Sequence, residues 1–271
     1  MNSILYHNRF LLARRISQIT ILVLFIGSNL YGWRVLRGNL SSSKILQVVP
    51  LADPYAVLQI AATSLIVGAD ALVGALTVLL FFGLFAGRSF CGWICPINLV
   101  SDGAFWSRRT LGMSHPERTL PIGRNLRYWA LGLSIVLSVI TGVAAFESIS
   151  PVAILVRGAI FGFGSGVLVI LALFLFDLAA VQNGFCGYVC PLGAFYSIVA
   201  RFSILRVRHD HERCTLCMRC VERCPENQVL ALVGKVSGPI AAGECTLCGR
   251  CIDVCDAGAM KIATRFGSLK G

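Results

Sequence analysis

All twelve cysteines of the chain fall into four short motifs, and thiols grouped in this way bind metal or exchange electrons. Cys214, Cys217, Cys220 and Cys224 follow C-x2-C-x2-C-x3-C, with Pro225 next. Cys245, Cys248, Cys251 and Cys255 repeat the spacing, with Asp256 where the proline would be. Paired runs of this kind hold two [4Fe–4S] clusters, three close thiolates wrapping one cube while the fourth reaches the other. The expected ligand sets are Cys214, Cys217, Cys220 with Cys255, and Cys245, Cys248, Cys251 with Cys224. Structural zinc favours two separated pairs over a tight triple followed by a fourth thiol. A cytoplasmic location disfavours disulfides.

The other four cysteines form two C-x3-C-P motifs. Phe90-Cys-Gly-Trp-Ile-Cys-Pro96 recurs 95 residues later as Phe185-Cys-Gly-Tyr-Val-Cys-Pro191. Proline suits the first turn of a helix, which puts Cys95 and Cys190 at a cap, where a thiolate is favoured. If the motifs face each other across a pseudo-twofold axis, Cys91, Cys95, Cys186 and Cys190 could together hold an additional metal or iron–sulfur centre. A dithiol–disulfide pair in each motif, or buried structural cysteines, are equal alternatives.

One carboxylate adds acid–base chemistry. Asp177 lies inside an apolar segment, about 13 Å of helix rise before Cys186. An ionisable group there is a candidate catalytic residue, here a proton acceptor; a structural hydrogen bond to a neighbouring helix is the competing role. Asp70 reads as a helix cap. His7, His115, His209 and His211 lie outside the apolar segments, and His209 and His211 read as part of a solvated basic linker.

The elements that must position these groups are set by composition. Of 271 residues, 56% are hydrophobic and 14% charged, too few charges to coat a soluble globule. The mean hydropathy of +0.76 agrees. Disorder, collagen and small disulfide scaffolds are excluded. Four stretches, near 16–33, within 58–87, 128–146 and 165–181, are long enough to cross a bilayer core. Basic residues cluster in the N-terminal tail (Arg9, Arg14, Arg15), between 88 and 127, and between 201 and 213. Arg34, Arg37, Lys44 and Arg157 alone mark the other two loops. The positive-inside rule then puts both termini in the cytoplasm and makes the net charge of +11 topogenic and lipid-facing. Nucleic acid is not an expected partner, because no basic stripe with interleaved aromatics is present.

Upstream of the repeated cysteines, Asp53-Pro-Tyr-Ala-Val-Leu58 echoes Ser150-Pro-Val-Ala-Ile-Leu155. Two matched blocks at nearly one offset indicate a parallel repeat of two spans each. The expected fold is an all-α four-helix transmembrane domain (1–200), followed by a C-terminal α+β dicluster ferredoxin domain (201–271).

This pattern resembles the NapH family, the membrane ferredoxin-type quinol dehydrogenase subunits of periplasmic nitrate reductase systems. Further matching residues are Gly38-Asn-Leu-Ser-Ser-Ser43, Pro50-Leu-Ala-Asp-Pro54, Phe163-Gly-Ser-Gly166 and Leu173-Phe-Leu-Phe-Asp177. The resemblance implies an inner-membrane protein that oxidises quinol from the membrane quinone pool. Electrons would pass to a periplasmic NapG-like iron–sulfur protein, then through cytochrome to nitrate reductase. Related membrane ferredoxins carry a flavin-binding extracytoplasmic domain or an extra β-domain. With 15 residues before the first stretch and 16 after Cys255, neither addition is expected. A non-catalytic redox-sensing or assembly protein is the alternative.

Overall fold

The computed structural model describes residues 7–63, 66–112, 123–162, 164–179 and 183–266. The chain opens with α1 (Arg9–Leu30) and an antiparallel sheet of β1 (Leu36–Gly38), β2 (Ser42–Ile45) and β3 (Val49–Ala52). Next come α2 (Pro54–Ala62) and α3 (Ala69–Leu80), the latter running on as a π-helix over Phe81–Ala86. After these follow α4 (Ser89–Trp93), α5 (Ile97–Thr110), α6 (Leu126–Thr141), α7 (Ala145–Ile149), α8 (Pro151–Phe161) and α9 (Gly166–Ala179). A second π-helix, Phe185–Val189, leads into α10 (Pro191–Val199). The last part holds β4 (Leu205–His209), α11 (Arg219–Arg223), β5 (Gly238–Pro239), α12 (Arg250–Asp253) and β6 (Met260–Thr264). Contacts gather these elements into two units.

One unit comprises Gln18–Leu79 and Cys95–Phe195. Beside an apolar core that includes Phe25, Val156 and Ile160, it buries several polar residues and exposes many large apolar ones. Gln18, Gln59, Arg127, Ser134, Ser138 and Asp177 are buried, while Trp129, Ile140 and Leu168 are 78%, 74% and 67% exposed. A surface of this kind is stable against hydrocarbon rather than water. Inside, Gln59 Oε1 accepts from Ser138 Oγ (3.2 Å) and from the Phe146 backbone N–H (3.0 Å), tying α2 to α6 and α7. Tyr55 OH meets Ser134 Oγ in the same seam. Both upstream repeat blocks become helix starts with proline in the first turn, Pro54 on α2 and Pro151 on α8. Asp53 caps α2 by accepting the Tyr55 N–H at 3.0 Å, whereas Ser150 makes no such side-chain bond.

Helices Arg9–Leu30 (22 residues) and Ala69–Ala86 (18 residues) are long and apolar enough to cross a bilayer. At the third and fourth expected stretches stand shorter apolar helices, α6 with 16 residues and α9 with 14. Val181 at the end of the fourth lies outside the described residues, as do Arg118, His115 and Phe163.

The all-α expectation omitted the sheet of β1–β3, whose register pairs Leu36 with Ile45 and Ser42 with Ala52. Its first turn is built by Asn39, whose Oδ1 accepts the backbone N–H groups of Ser41 and Ser42, both at 2.9 Å. Gly38 has φ +113°, and a Cβ there would lie 2.3 Å from Ser42 O, so glycine is required.

The second unit comprises Met1–Ser17, Leu80–Ile94 and Tyr196–Gly271. Strand β4 is the centre of its sheet, flanked by β5 and β6 in antiparallel pairing. Val207, Leu230, Val233, Ile240 and Met260 form the core beneath the cysteine loops. Arg206, expected at the lipid surface, is instead buried on β4. Its guanidinium donates to the carbonyls of Ala200 (2.7 Å), Arg201 (2.8 Å) and Ala241 (3.1 Å), so the charge satisfies main-chain carbonyls of the turn before β4 and of the loop before Cys245. Arg14, Arg88 and Arg127 are also buried, which corrects the reading of the basic residues as uniformly lipid-facing.

Candidate metal centres

The two four-cysteine motifs fold alike. Leu216 and Met218 in the first, and Leu247 and Gly249 in the second, hold the matching positive-φ positions, with φ of 58°, 55°, 49° and 74°. Alternation of left- and right-handed residues turns successive backbone N–H groups to one side of a loop, a concavity suited to an anion. A short helix then begins at Arg219 and at Arg250, burying Cys220 and Cys251 at corresponding places.

The thiols do not group motif by motif. One cavity is lined by Cys214, Cys217, Cys220 and Cys255. The other is lined by Cys224, Cys245, Cys248 and Cys251. Each takes three cysteines from one motif and the fourth from the other. The electrostatics reports the same neighbours. Burial pushes the Cys220 thiol up, helped by Cys255, Cys214 and Cys217. Burial also raises Cys224, with Cys248 and Cys245 adding to it. Cys251 is driven well up by burial and then by Cys248, Cys245 and Cys224. Cys245 is pushed up to about 11 by burial, with Arg206 and Arg88 pulling the other way. Cys220, Cys224, Cys245 and Cys251, held toward the neutral thiol by burial, fit a polycationic core that supplies the missing positive charge, while the exposed Cys217 is pulled down by hydrogen bonds from Arg219. Among the described residues no three His, Cys, Asp or Glu side chains close around a single ion.

A segment from far earlier in the chain lies against the second motif within the same unit. The Trp93 indole Nε1 donates to Leu247 O at 3.0 Å. Gly92 approaches so closely that a Cβ would sit 3.0 Å from Thr246 O and 3.6 Å from Cys248 Cβ. Arg88 donates to Glu226 Oε1 at 2.9 Å and to Glu244 O at 3.1 Å. Cys91 is therefore carried on the strip that abuts the Cys245–Cys248 loop. From the other side, Asp253 of α12 accepts the Phe10 and Leu11 backbone N–H groups at 3.4 and 3.3 Å, capping the start of α1.

Cys95, Cys186 and Cys190 belong to the other unit. Cys190 is buried just before α10, and its Sγ accepts the Gly193 N–H at 3.4 Å, the cap position expected from Pro191. Cys95 is buried too, with Gln18 donating to its carbonyl at 3.3 Å. Cys186 sits on the π-helix, its Sγ 4.0 Å from Ser101 Oγ. Single π-turns recur at functional sites. Asp177 Oδ1 accepts the Phe185 N–H at 3.1 Å, with the Gly184 N–H and the Ser101 hydroxyl turned to the same carboxylate. Asp177 thus fixes the turn that carries Cys186, while its buried Oδ2 has no hydrogen-bond partner among the described residues.

Sequence reasoning missed several residues. His209 is not in a solvated linker: it is fully buried on β4 and lines the cavity of Cys214 and Cys255, with Nδ1 2.9 Å from Val236 O. Its place in a strand alternating Val207 and His209 inward was the available signal. Arg88, Trp93 and Glu226 gave a weaker one, adjacency to a cysteine motif.

Known families match both kinds of cysteine motif. A family model described as a 4Fe-4S binding domain matches residues 67–114 and again 152–209, each match containing one C-x3-C-P motif. A second, described as a 4Fe-4S dicluster domain, matches residues 206–256. The chain is 41% identical to the ferredoxin-type protein NapH of Haemophilus influenzae, covering 83% of this chain and 78% of that protein. It is 42% identical to the methylamine utilization ferredoxin-type protein MauN of Methylorubrum extorquens, covering 85% and 80% respectively. NapH of Escherichia coli is 40% identical, covering 82% and 77%. No solved structure matches the chain.

Proposed function

The chain belongs to the family of ferredoxin-type proteins that includes NapH and MauN, and we propose that it is a multi-pass membrane electron-transfer subunit oxidising quinol. In this reading Cys214, Cys217, Cys220 and Cys255 hold one [4Fe–4S] cluster, and Cys224, Cys245, Cys248 and Cys251 hold another. The observation that carries it is the pair of cavities, each drawing its fourth thiol from the opposite motif. Bound clusters supply one-electron storage, which a two-electron donor such as quinol needs at its exit. The chain's own residues do the rest. Backbone N–H groups and buried arginines hold the charge, and α1 and α3 anchor the protein among lipids.

The finer reading adds a third centre and a proton acceptor. The four repeat cysteines, Cys91, Cys95, Cys186 and Cys190, are proposed to form a further metal or iron–sulfur site, supported by the double match to a 4Fe-4S binding family. Asp177, with one oxygen holding the Cys186 turn and the other unbonded, is proposed to take a quinol proton. Electrons would leave toward a periplasmic NapG-like iron–sulfur partner and nitrate reductase, as the family resemblance implies. The equal likeness to MauN favours a second destination, an electron chain serving methylamine utilization.

Anaerobic purification followed by quinol addition tests this. The proposal expects quinol-dependent bleaching of the iron–sulfur absorbance, lost in Asp177→Asn with quinol but kept with dithionite. Clusters that dithionite reduces and quinol never does would instead support the redox-sensing or assembly role.

A further inference from the structure

The two cysteine loops are near-copies in sequence. Cys214-Thr-Leu-Cys-Met-Arg-Cys220 and Cys245-Thr-Leu-Cys-Gly-Arg-Cys251 differ only in Met218 against Gly249. They share their positive-φ positions, so the second unit presents one backbone twice. What covers the two copies differs. Around the second copy the chain folds back on itself. The Trp93 indole donates to Leu247 O at 3.0 Å, and Gly92 lies against Thr246 O. Phe10 fills the space beside Gly249, where a Cβ would fall 2.2 Å from its Cγ. Leu247 is left 7% exposed. The glycine is the imprint of this cover, because any side chain there would displace the ring.

The first copy lies open. Leu216 and Met218, in the places of Leu247 and Gly249, are 54% and 44% exposed. Cys217 is exposed where Cys248 is half-buried. Leu216 O, the counterpart of the carbonyl that Trp93 binds, accepts no hydrogen bond among the described residues. Beside Cys217 stands Arg219, whose charge is paired with Asp256. Two apolar side chains flanking a ligand thiol at the surface make the apolar centre of a small, transient interface.

We propose that the Thr215–Met218 loop, the uncovered twin of the loop held by Trp93, is the docking surface for a one-electron carrier protein, and that electrons leave the module past Cys217. The covered copy shows what such a partner must bring: a hydrogen-bond donor for Leu216 O and an apolar group for Leu216 and Met218. Because the Arg219–Asp256 pair cancels its own charge, apolar contact rather than net charge selects the carrier. Gly92, whose added Cβ would lie 3.6 Å from Cys248 Cβ, marks the second centre as the side facing the Cys91 strip, which leaves the first as the way out. One electron passes from the reduced first centre to the oxidised carrier, and no bond is made or broken. The inference rests on the two-cluster reading above.

The test uses the full chain in detergent, after iron and sulfide analysis. About eight of each per chain establishes both centres; fewer than that overturns the two-cluster reading and the inference with it. Dithionite reduces the centres, so a failure to oxidise quinol leaves the test intact. Cytochrome c is the protein acceptor and ferricyanide the small one. Leu216→Asn combined with Met218→Asn removes the apolar pair and keeps residues that tolerate positive φ. Transfer to cytochrome c is expected to slow by about tenfold, with transfer to ferricyanide unchanged. Ile262→Asn on β6 should slow neither. Hydrogen exchange adds a readout free of electron transfer: cytochrome c should protect amides 215–218 and leave 246–249 as they were. Should the double variant lose iron, Met218→Asn alone serves and should weaken that protection. Unchanged transfer at full iron content, equal slowing with ferricyanide, or no protection at 215–218 overturns the proposal.

Discussion

Arg88 and Glu226, 138 residues apart, form an ion pair at 2.9 Å in which the two side chains are 1% and 5% exposed. Removing one member leaves the other as a buried, uncompensated charge. Arg88→Met should therefore cost on the order of 3–5 kcal/mol. Denaturant unfolding in detergent checks this, and the double variant Arg88→Met, Glu226→Leu should recover much of the loss. A double variant as unstable as the single would mean the pair is not what the site needs.

Trp93 braces the second cysteine loop through one hydrogen bond to Leu247 O. Trp93→Phe keeps the ring and deletes the donor, at a cost of about 1 kcal/mol. Iron release to a chelator should quicken, and it should do so in the half of the iron held by the second motif. Uniform acceleration of both halves would argue for a global effect.

Gly92 leaves no room for a side chain at Thr246 O. Gly92→Ala is expected to push the loop away and cost about 1–3 kcal/mol, read as lowered iron content after purification. Gly132→Ala in α6, where nothing lies within 4 Å of the added atom, is the matched control and should be neutral or mildly stabilising.

Asp53, in the loop before α2, has its carboxyl pushed from 3.8 up to about 7, chiefly by burial, with the Tyr55 N–H pulling it down and Glu147 pushing it further up. A folded pKa above the unfolded one means the folded state prefers the neutral acid. The contribution is therefore largest below about pH 4 and is lost as pH rises to about 7, with no further change above. Asp53→Asn keeps an acceptor for the Tyr55 N–H and should flatten that slope. Thermal unfolding of both proteins across the interval is the measurement, and parallel curves would remove Asp53 from the account.

How much of this was legible beforehand depended on range. Cys214, Cys217 and Cys220 announce a cluster because thiols three residues apart converge locally, and the paired motif supplies the crossed fourth thiol, Cys255, that completes the cavity. Pro191 gave away the Cys190 cap for the same local reason. Trp93 and Leu247 are 154 residues apart, and no periodicity encodes such a meeting. The strands β1–β3 escaped notice because Gly38, Asn39 and the serines that follow read as loop, their turn chemistry hiding the short pairings on either side. Arg206 was misplaced by its sign: a positive charge beside an apolar stretch suggests lipid headgroups, yet main-chain carbonyls of the turn before β4 satisfy it inside.

Interleaving of the cysteines also sets a timetable for synthesis. Each cavity needs thiols from the second motif, Cys255 for one and Cys245, Cys248 and Cys251 for the other. A nascent chain that has emerged only as far as Cys224 can complete neither. If the apolar helices enter the membrane as proposed, they leave the ribosome before either cavity is complete, and loading of iron and sulfide would be a late event. On the same reading, a chain made in a cell short of cluster donors would keep eight unliganded thiols between Cys214 and Cys255, open to oxidation.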